Sequence, residues 1–256
     1  MMGKLSIDEI DSIFTECTYE EFLTKKELFK DDGRKSVESL IKKYERGYLK
    51  AIKAQEEYEK RSAFENKFAA EGILLVAGAD EVGRGPLSGP VCCGAVILDR
   101  GIPVLGVKDS KKLSHAQREL LSEEIKEKAV AWALGSASVH EIDSMNILNA
   151  TKLAMKRAIM KLNPSPQHVL IDALHLEDIP FSQTAIIKGD DLSVSIGAAS
   201  IIAKVARDRY MEEISEKYPQ YGFASNKGYG TEEHIRAIKE YGPCPIHRKT
   251  FIKNFV

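Results

Sequence analysis

The sequence predicts an α/β fold, a mixed sheet flanked by helices, with a charged helical extension before it and helices at its C-terminal end. Residues 1 to about 71 are dense in Glu and Lys, almost free of glycine and proline, and carry apolar residues at helical spacing. From Gly72 onward, short apolar runs alternate with longer helical patterns. The first three runs lie close together, with one intervening helix, as an antiparallel meander requires. The last two alternate with helices and predict parallel strands.

Taken in order, Ser6 caps a short first helix with Glu9 as its capping-box partner. A second helix spans Tyr19 to Phe29 and ends near Asp31-Asp32-Gly33. Ser36 to about Ala70 reads as one long helix, with Val37, Leu40, Ile41, Tyr44, Tyr48, Ile52, Tyr58 and Phe64 roughly on one stripe. At 1.5 Å per residue it could reach roughly 50 Å. Its many charges read as a solvated face, with a nucleic-acid-binding extension as the functional alternative. Strands are expected at Ile73–Ala79, Val91–Leu98, Ala129–Val139, His168–Ile171 and Gln183–Ile187. Helices are expected at Ser114–Lys128, Asn146–Lys161, Val194–Tyr218, Thr231–Tyr241 and His247–Phe255. There is no internal repeat or low-complexity segment.

The 256 residues, 43% hydrophobic, suffice for one large domain or a domain with an appendage. A formal net charge of -1 excludes a polycation, so any nucleic-acid surface must be a local patch. Four cysteines are too few for a disulfide scaffold, and Cys92 and Cys93 are adjacent in an apolar run. The start, Met1 to Ser6, lacks the apolar core of a signal peptide, and no run approaches the ~18 apolar residues of a membrane span. A soluble, cytoplasmic chain with reduced cysteines is expected, free of membrane.

The chemistry lies in the acids. Asp80 and Glu81 close an apolar run and precede the turn Gly83-Arg84-Gly85. Successive side chains of a strand point to opposite faces, so two adjacent acids serve one site only where the strand twists or ends. Asp172 closes Val169-Leu170-Ile171, and Asp190-Asp191 follow Ile186-Ile187-Lys188-Gly189. Acids at strand ends converge although far apart in sequence, and converging carboxylates repel unless a cation neutralises them. Oxygen-only ligands suit Mg²⁺ or Mn²⁺. Two such ions about 4 Å apart can activate a water and stabilise the leaving oxygen of a phosphodiester. Singly, each acid has a plainer reading: Asp172 as a turn starter, Asp190 or Asp191 as a helix N-terminal charge.

The order Asp80-Glu81-Val82-Gly83-Arg84-Gly85-Pro86-Leu87-Ser88-Gly89-Pro90, then Asp109-Ser110-Lys111-Lys112-Leu113, then Asp172, then Lys188-Gly189-Asp190, resembles the bacterial type 2 ribonucleases H (ribonuclease HII). The likeness continues through Ala198 to Asp208, Gly228-Tyr229-Gly230-Thr231 and Gly242 to Arg248, covering about residues 72 to 256. The charged N-terminal helices resemble an extension carried by some members, and are a candidate substrate-binding segment.

This resemblance implies a ribonuclease H-like fold and endonucleolytic cleavage of RNA in RNA–DNA hybrids. It also implies incision 5′ of single ribonucleotides embedded in duplex DNA, leaving a 3′-hydroxyl and a 5′-phosphate. Asp80, Glu81, Asp172 and Asp190 match the metal-binding carboxylates. Asp191 stands where a small polar residue is expected and is placed as a solvated helix-start charge.

Gly83 and Gly85 can let the backbone approach a minor groove and a 2′-hydroxyl, the group that marks ribose. Arg84 can fork onto a phosphate, and the Tyr229 ring can lie against the sugar or base beside the scissile bond. Lys111, Lys204 and Arg207 are candidate phosphate contacts, although Lys204 and Asp208 are spaced as a helix-surface pair. His168 and His247 are read as structural, and Ser200 as a small residue for close helix packing. A monomer is expected, and a sliding clamp is a partner that no motif supports; Phe251 to Val256 reads as a buried C-terminus or, alternatively, a docking peptide. The weighed rivals are the type 3 enzymes, whose usual N-terminal appendage is sheet-containing, a hybrid-binding module with a decayed site, and a metal phosphatase of small substrates.

Overall fold

The computed structural model describes residues 5–254 and 256. The chain divides into two compact units, Met1–Glu57 and Tyr58–Val256.

In the smaller unit, α1 (Ile7–Thr15) and α2 (Tyr19–Lys26) each open with a complete capping box, Ser6 with Glu9 and Thr18 with Glu21. A short 3₁₀ turn over Glu27–Phe29 finishes the second helical segment. Ile10, Phe14, Phe22 and Val37 form a core lined by Leu40, Ile41, Tyr44 and Tyr48 of α3 (Lys35–Arg61). The expected stripe is therefore real over its first half. The expected single long helix is not, because it breaks at Ser62 and continues as α4 (Ala63–Ala70). The Ser62 hydroxyl donates to the Tyr58 carbonyl at 2.8 Å, a back-bond that bends helices.

The larger unit therefore starts within α3, upstream of the boundary expected near residue 71. Its α4 presses Phe64 and Phe68 against Leu170, Ile186 and Ile196, and Phe68 stacks on His168 at 4.0 Å.

The sheet holds five strands in the order β3-β2-β1-β4-β5: β1 (Val76–Val82), β2 (Val91–Ile97), β3 (Ala131–Ala137), β4 (His168–Asp172) and β5 (Ser182–Ile186). The first three pair antiparallel, and β1, β4 and β5 pair parallel, as the spacing predicts. The remaining helices are α5 (His115–Lys128), α6 (Val139–Met145), α7 (Ile147–Ile159), α8 (Gly189–Leu192), α9 (Val194–Lys217), α10 (Phe223–Asn226), α11 (Glu232–Tyr241) and α12 (Lys249–Ile252). The final helix is thus shorter than expected, and Phe255 lies outside the described residues. Phe251 packs on the core and Ile252 is buried, so the C-terminus is anchored at those two positions. Among the described residues no helix is long and apolar enough to cross a membrane.

Glycines set how closely helices approach the sheet. A Cβ on Gly78 would overlap the Ser195 carbonyl carbon of α9, and one on Gly94 would overlap the Ala199 carbonyl oxygen. On the opposite face a Cβ on Gly135 would overlap the Ala154 carbonyl oxygen of α7. The backbone of α9 therefore lies directly over β1 and β2. Gly78→Ala should lower the melting temperature by the equivalent of about 2 kcal/mol or more, since the obstruction is backbone that must move bodily. An unchanged thermal midpoint would show that α9 is not seated by this contact.

Candidate active site

Ala79 of β1 lies beside Ile171 of β4, so Asp80 and Asp172 follow side by side on neighbouring parallel strands. Both fall on the face covered by α9, because Asp80 alternates in step with Gly78. Glu81 starts from the other face, yet one oxygen each of Asp80, Glu81 and Asp172 lies within 4.8 Å of the others. The two adjacent acids sit inside the last three residues of β1 rather than beyond its end.

Asp80 is only 5% exposed. Burial pushes its carboxyl well above the ordinary range, and the nearby Glu81 and Asp172 push the same way, against a hydrogen bond from Ser200. Ser200 in turn shares a hydrogen bond of 3.0 Å with buried Ser110. Glu81 is also raised, by burial first, with Arg84 opposing at 3.2 Å. Its second oxygen is buried and has no hydrogen-bond partner among the described residues.

The Gly189 amide donates to Asp172 Oδ1 at 2.6 Å, which ties the start of α8 to the third acid. Asp190 follows directly and is raised by burial and then by Asp109 and Asp172. It stands outside the tight group of three, with Lys111 Nζ 3.8 Å from its Oδ2. Asp191 behaves oppositely: Lys112 at 2.6 Å and Arg61 at 3.3 Å match its charge, and the Lys112 hydrogen bond holds its carboxyl low. It is a paired charge, not a merely solvated one, and Lys112 is its partner rather than free surface charge.

The loop Gly83–Pro90 borders the acids. Gly85 lies against the ring of Tyr229, whose atom Cε1 would be 3.7 Å from a Cβ there. Tyr229 is 47% exposed and held through its backbone. Its carbonyl accepts from Thr231 N and from His234 Nδ1 at 2.8 Å; His234 and His247 meet through their Nε2 atoms at 3.0 Å; and His247 Nδ1 accepts from the Cys244 amide at 2.9 Å. His247 Nδ1 also lies 3.1 Å from Cys244 Sγ and 3.3 Å from the Cys244 carbonyl. Burial lowers both histidines, His247 to about 4.

Arg207 corrects an expectation. It is fully buried, and its guanidinium donates to the carbonyls of Pro90, Lys227 and Ser88 at 3.0 to 3.1 Å, so it has no reach toward a phosphate. Gly83, with φ +91°, faces this arginine, and a Cβ there would overlap its Nε. Lys204 pairs with Asp208 at 2.7 Å, the helix-surface pair that its spacing predicts. Lys111 remains exposed.

An all-oxygen donor set, an orphaned buried carboxylate oxygen and two raised acids together fit a hard divalent cation, Mg²⁺ or Mn²⁺. The family profile described as Ribonuclease HII matches residues 77–254, and the one described as Ribonuclease HII N-terminal domain matches residues 6–69. The chain belongs to the ribonuclease HII family. A Ribonuclease HII of Ruminiclostridium cellulolyticum is 48% identical over 255 residues, covering 100% of each chain. The structure of ribonuclease H2 from Pyrococcus horikoshii aligns with TM-score 0.58 and 32% identity over 70% of this chain and 96% of that one. The RNase HII of Archaeoglobus fulgidus, solved in complex with PCNA, gives 0.59 and 27% over 71% of this chain and 96% of that one.

Ribonuclease HII membership makes the chain a nuclease of the ribonuclease H class. Sequence reasoning missed Ser110, Ser200, His234 and Arg248 as supports of this site. The spacing of Ser200 one helical turn from Ile196, on the face that meets Asp80, is the one signal that could have found it.

The raised carboxyls have a sign. Because Asp80 binds its proton more tightly folded than unfolded, the metal-free protein loses stability as pH rises from the ordinary aspartate range through the raised folded value. Asp80→Asn should therefore stabilise the metal-free enzyme more and more as pH rises above the ordinary aspartate range, until the difference levels off at about 1–3 kcal/mol. Thermal melts in chelator over that rise in pH check it; a pH-independent difference would refute the buried-charge cost.

Proposed function

We propose that this chain hydrolyses the RNA strand of RNA–DNA hybrids and incises 5′ of single ribonucleotides embedded in duplex DNA, leaving a 3′-hydroxyl and a 5′-phosphate. The observation that carries this reading is the cluster of Asp80, Glu81 and Asp172 beside a loop that offers unencumbered backbone at Gly85 and an exposed ring at Tyr229.

Asp80, Glu81, Asp172 and Asp190 would hold Mg²⁺ or Mn²⁺. Two bound ions would supply Lewis-acid activation of the attacking water and charge neutralisation at the scissile phosphate. The protein's own groups do the rest. Ser200 and the Glu81 amide, 2.7 Å from Asp80 Oδ1, fix the orientation of Asp80. Lys111 and Arg84, both exposed, are available to flanking phosphates. The backbone of Gly85 meets the 2′-hydroxyl, and the Tyr229 ring packs on the neighbouring sugar or base.

In the smaller unit, Lys42, Arg46, Lys50 and Lys53 are exposed at successive turns of α3 and form a basic stripe, with Lys42 paired to Glu38 at its start. This stripe is the part of the N-terminal extension suited to a duplex backbone. The cysteines Cys17, Cys92, Cys93 and Cys244 are free, which supports a reducing, cytoplasmic setting. Phe251 and Ile252 pack inward, so those two side chains are held by the domain itself.

A duplex with one ribonucleotide, incubated with Mg²⁺, Mn²⁺ or chelator, tests the reading. Cleavage 5′ of the ribonucleotide is expected with metal only, and none with Asp80→Asn; cutting of the all-DNA control would contradict it. Tyr229→Ala should slow incision by about tenfold while leaving the melting temperature nearly unchanged, and equal rates would remove the ring from the site. Changing the four stripe residues to Gln should flatten the salt dependence of duplex affinity by up to about four units of slope. An unaltered slope would exclude the stripe from binding.

A further inference from the structure

We infer that Arg248, with Arg207 beside it, is a positioning residue for ribose recognition: the pair fixes the loop Gly83–Pro90 so that the amides of Arg84 and Gly85 face the bound nucleotide. This rests on the reading of that loop as the 2′-hydroxyl contact.

Both side chains are fully buried at 0% exposure. Arginines in such places usually meet carboxylates; these donate to peptide carbonyls. Arg248 donates to Gly83 O at 2.5 Å, Arg84 O at 2.8 Å and Gly89 O at 3.0 Å. Arg207 takes the carbonyls of Ser88 and Pro90 at 3.1 and 3.0 Å, and that of Lys227 in the segment leading to Tyr229. Two rigid forks thus span the loop at both ends and join it to the tyrosine turn.

A trans peptide is planar, with its C=O and N–H opposed. Drawing the Gly83 carbonyl inward turns the Arg84 amide outward, and drawing the Arg84 carbonyl inward does the same for the Gly85 amide. Among the described residues neither amide has a hydrogen-bond partner, whereas those of Leu87 and Gly89 donate to Gly228 O and Ile246 O at 2.8 Å. Two donors side by side beside the acids are what a ribose hydroxyl or an adjacent phosphate oxygen needs. A cation bonded to the carbonyl end of a peptide also polarises its N–H, so the buried charge sharpens the donors as it aims them. Arg248 reaches the three carbonyls from three separate nitrogens, Nε, Nη1 and Nη2, held in one plane, a spread that the three donors of a lysine, all on one nitrogen, do not reproduce.

The test has two arms. In the unsubstituted full-length protein, hydrogen exchange followed by ¹⁵N NMR should show the Arg84 and Gly85 amides exchanging fast while those of Leu87 and Gly89 are protected. Protection of both in the free protein would overturn the inference. In Asp80→Asn, which spares the duplex, the Arg84 and Gly85 resonances should shift with a single-ribonucleotide duplex and not with its all-DNA counterpart; no shift would sink the 2′-hydroxyl reading itself.

The second arm is Arg248→Lys. Its affinity ratio for those two duplexes is expected to collapse by about tenfold, with Mn²⁺ binding by calorimetry unchanged. Retained discrimination would overturn the positioning role while leaving the 2′-hydroxyl reading intact. Should Arg248→Lys fail to fold, Arg207→Lys carries the same expectation, and the exchange arm decides without any substitution.

Discussion

Like charges crowded where water is scarce govern this structure. Asp80 is buried, Glu81 has an oxygen with no partner, and Asp172 completes a group whose oxygens lie within 4.8 Å. In a low-dielectric setting such a cluster costs free energy that the fold does not recover by itself. It persists because the surrounding elements are over-determined. Glycines seat α9 on β1 and β2, parallel pairing fixes Asp172 beside Asp80, and the Gly189 amide anchors the segment that carries Asp190. The strain is of the kind that a cation relieves, and it makes the site a ligand trap before any substrate arrives.

A second constraint acts on the loop beside the acids. Its carbonyls are satisfied by buried guanidiniums rather than by strands or helices, so it is rigid without being regular. Burial first, and then the neighbouring Arg207 charge, lowers Arg248 to about 9. Rigidity on one side of the loop leaves its other side free to recognise. The same logic holds Tyr229, whose carbonyl ends a chain of neutral histidines while its ring stays exposed.

Much of this was legible in the sequence, for physical reasons that also explain what was not. Alternating short apolar runs and helical patterns gave the five strands and their mixed pairing, because burial on a sheet face imposes period two locally. The break at Ser62 escaped notice, since one hydroxyl back-bonding to Tyr58 leaves no trace in the apolar stripe. The acids stood out because they close strand-like runs. Their supports did not: Ser110 and Ser200 look like ordinary small residues until α9 is laid on the sheet. Arg207 looked like a phosphate ligand because arginines usually are exposed, and only the fold reveals that Gly83 lacks a Cβ to make room for it. Asp191 could be read as a solvated charge until Arg61 and Lys112 were seen beside it.

The most direct test of the crowded-carboxylate constraint is the proton balance of metal binding. Titrating Mn²⁺ calorimetrically in buffers of different ionisation enthalpy counts the protons released per ion bound. Raised carboxyls must surrender protons to the metal, so net release is expected at pH 6, shrinking as pH rises. Binding with no proton release throughout the acid range would contradict the picture of buried, mutually repelling acids.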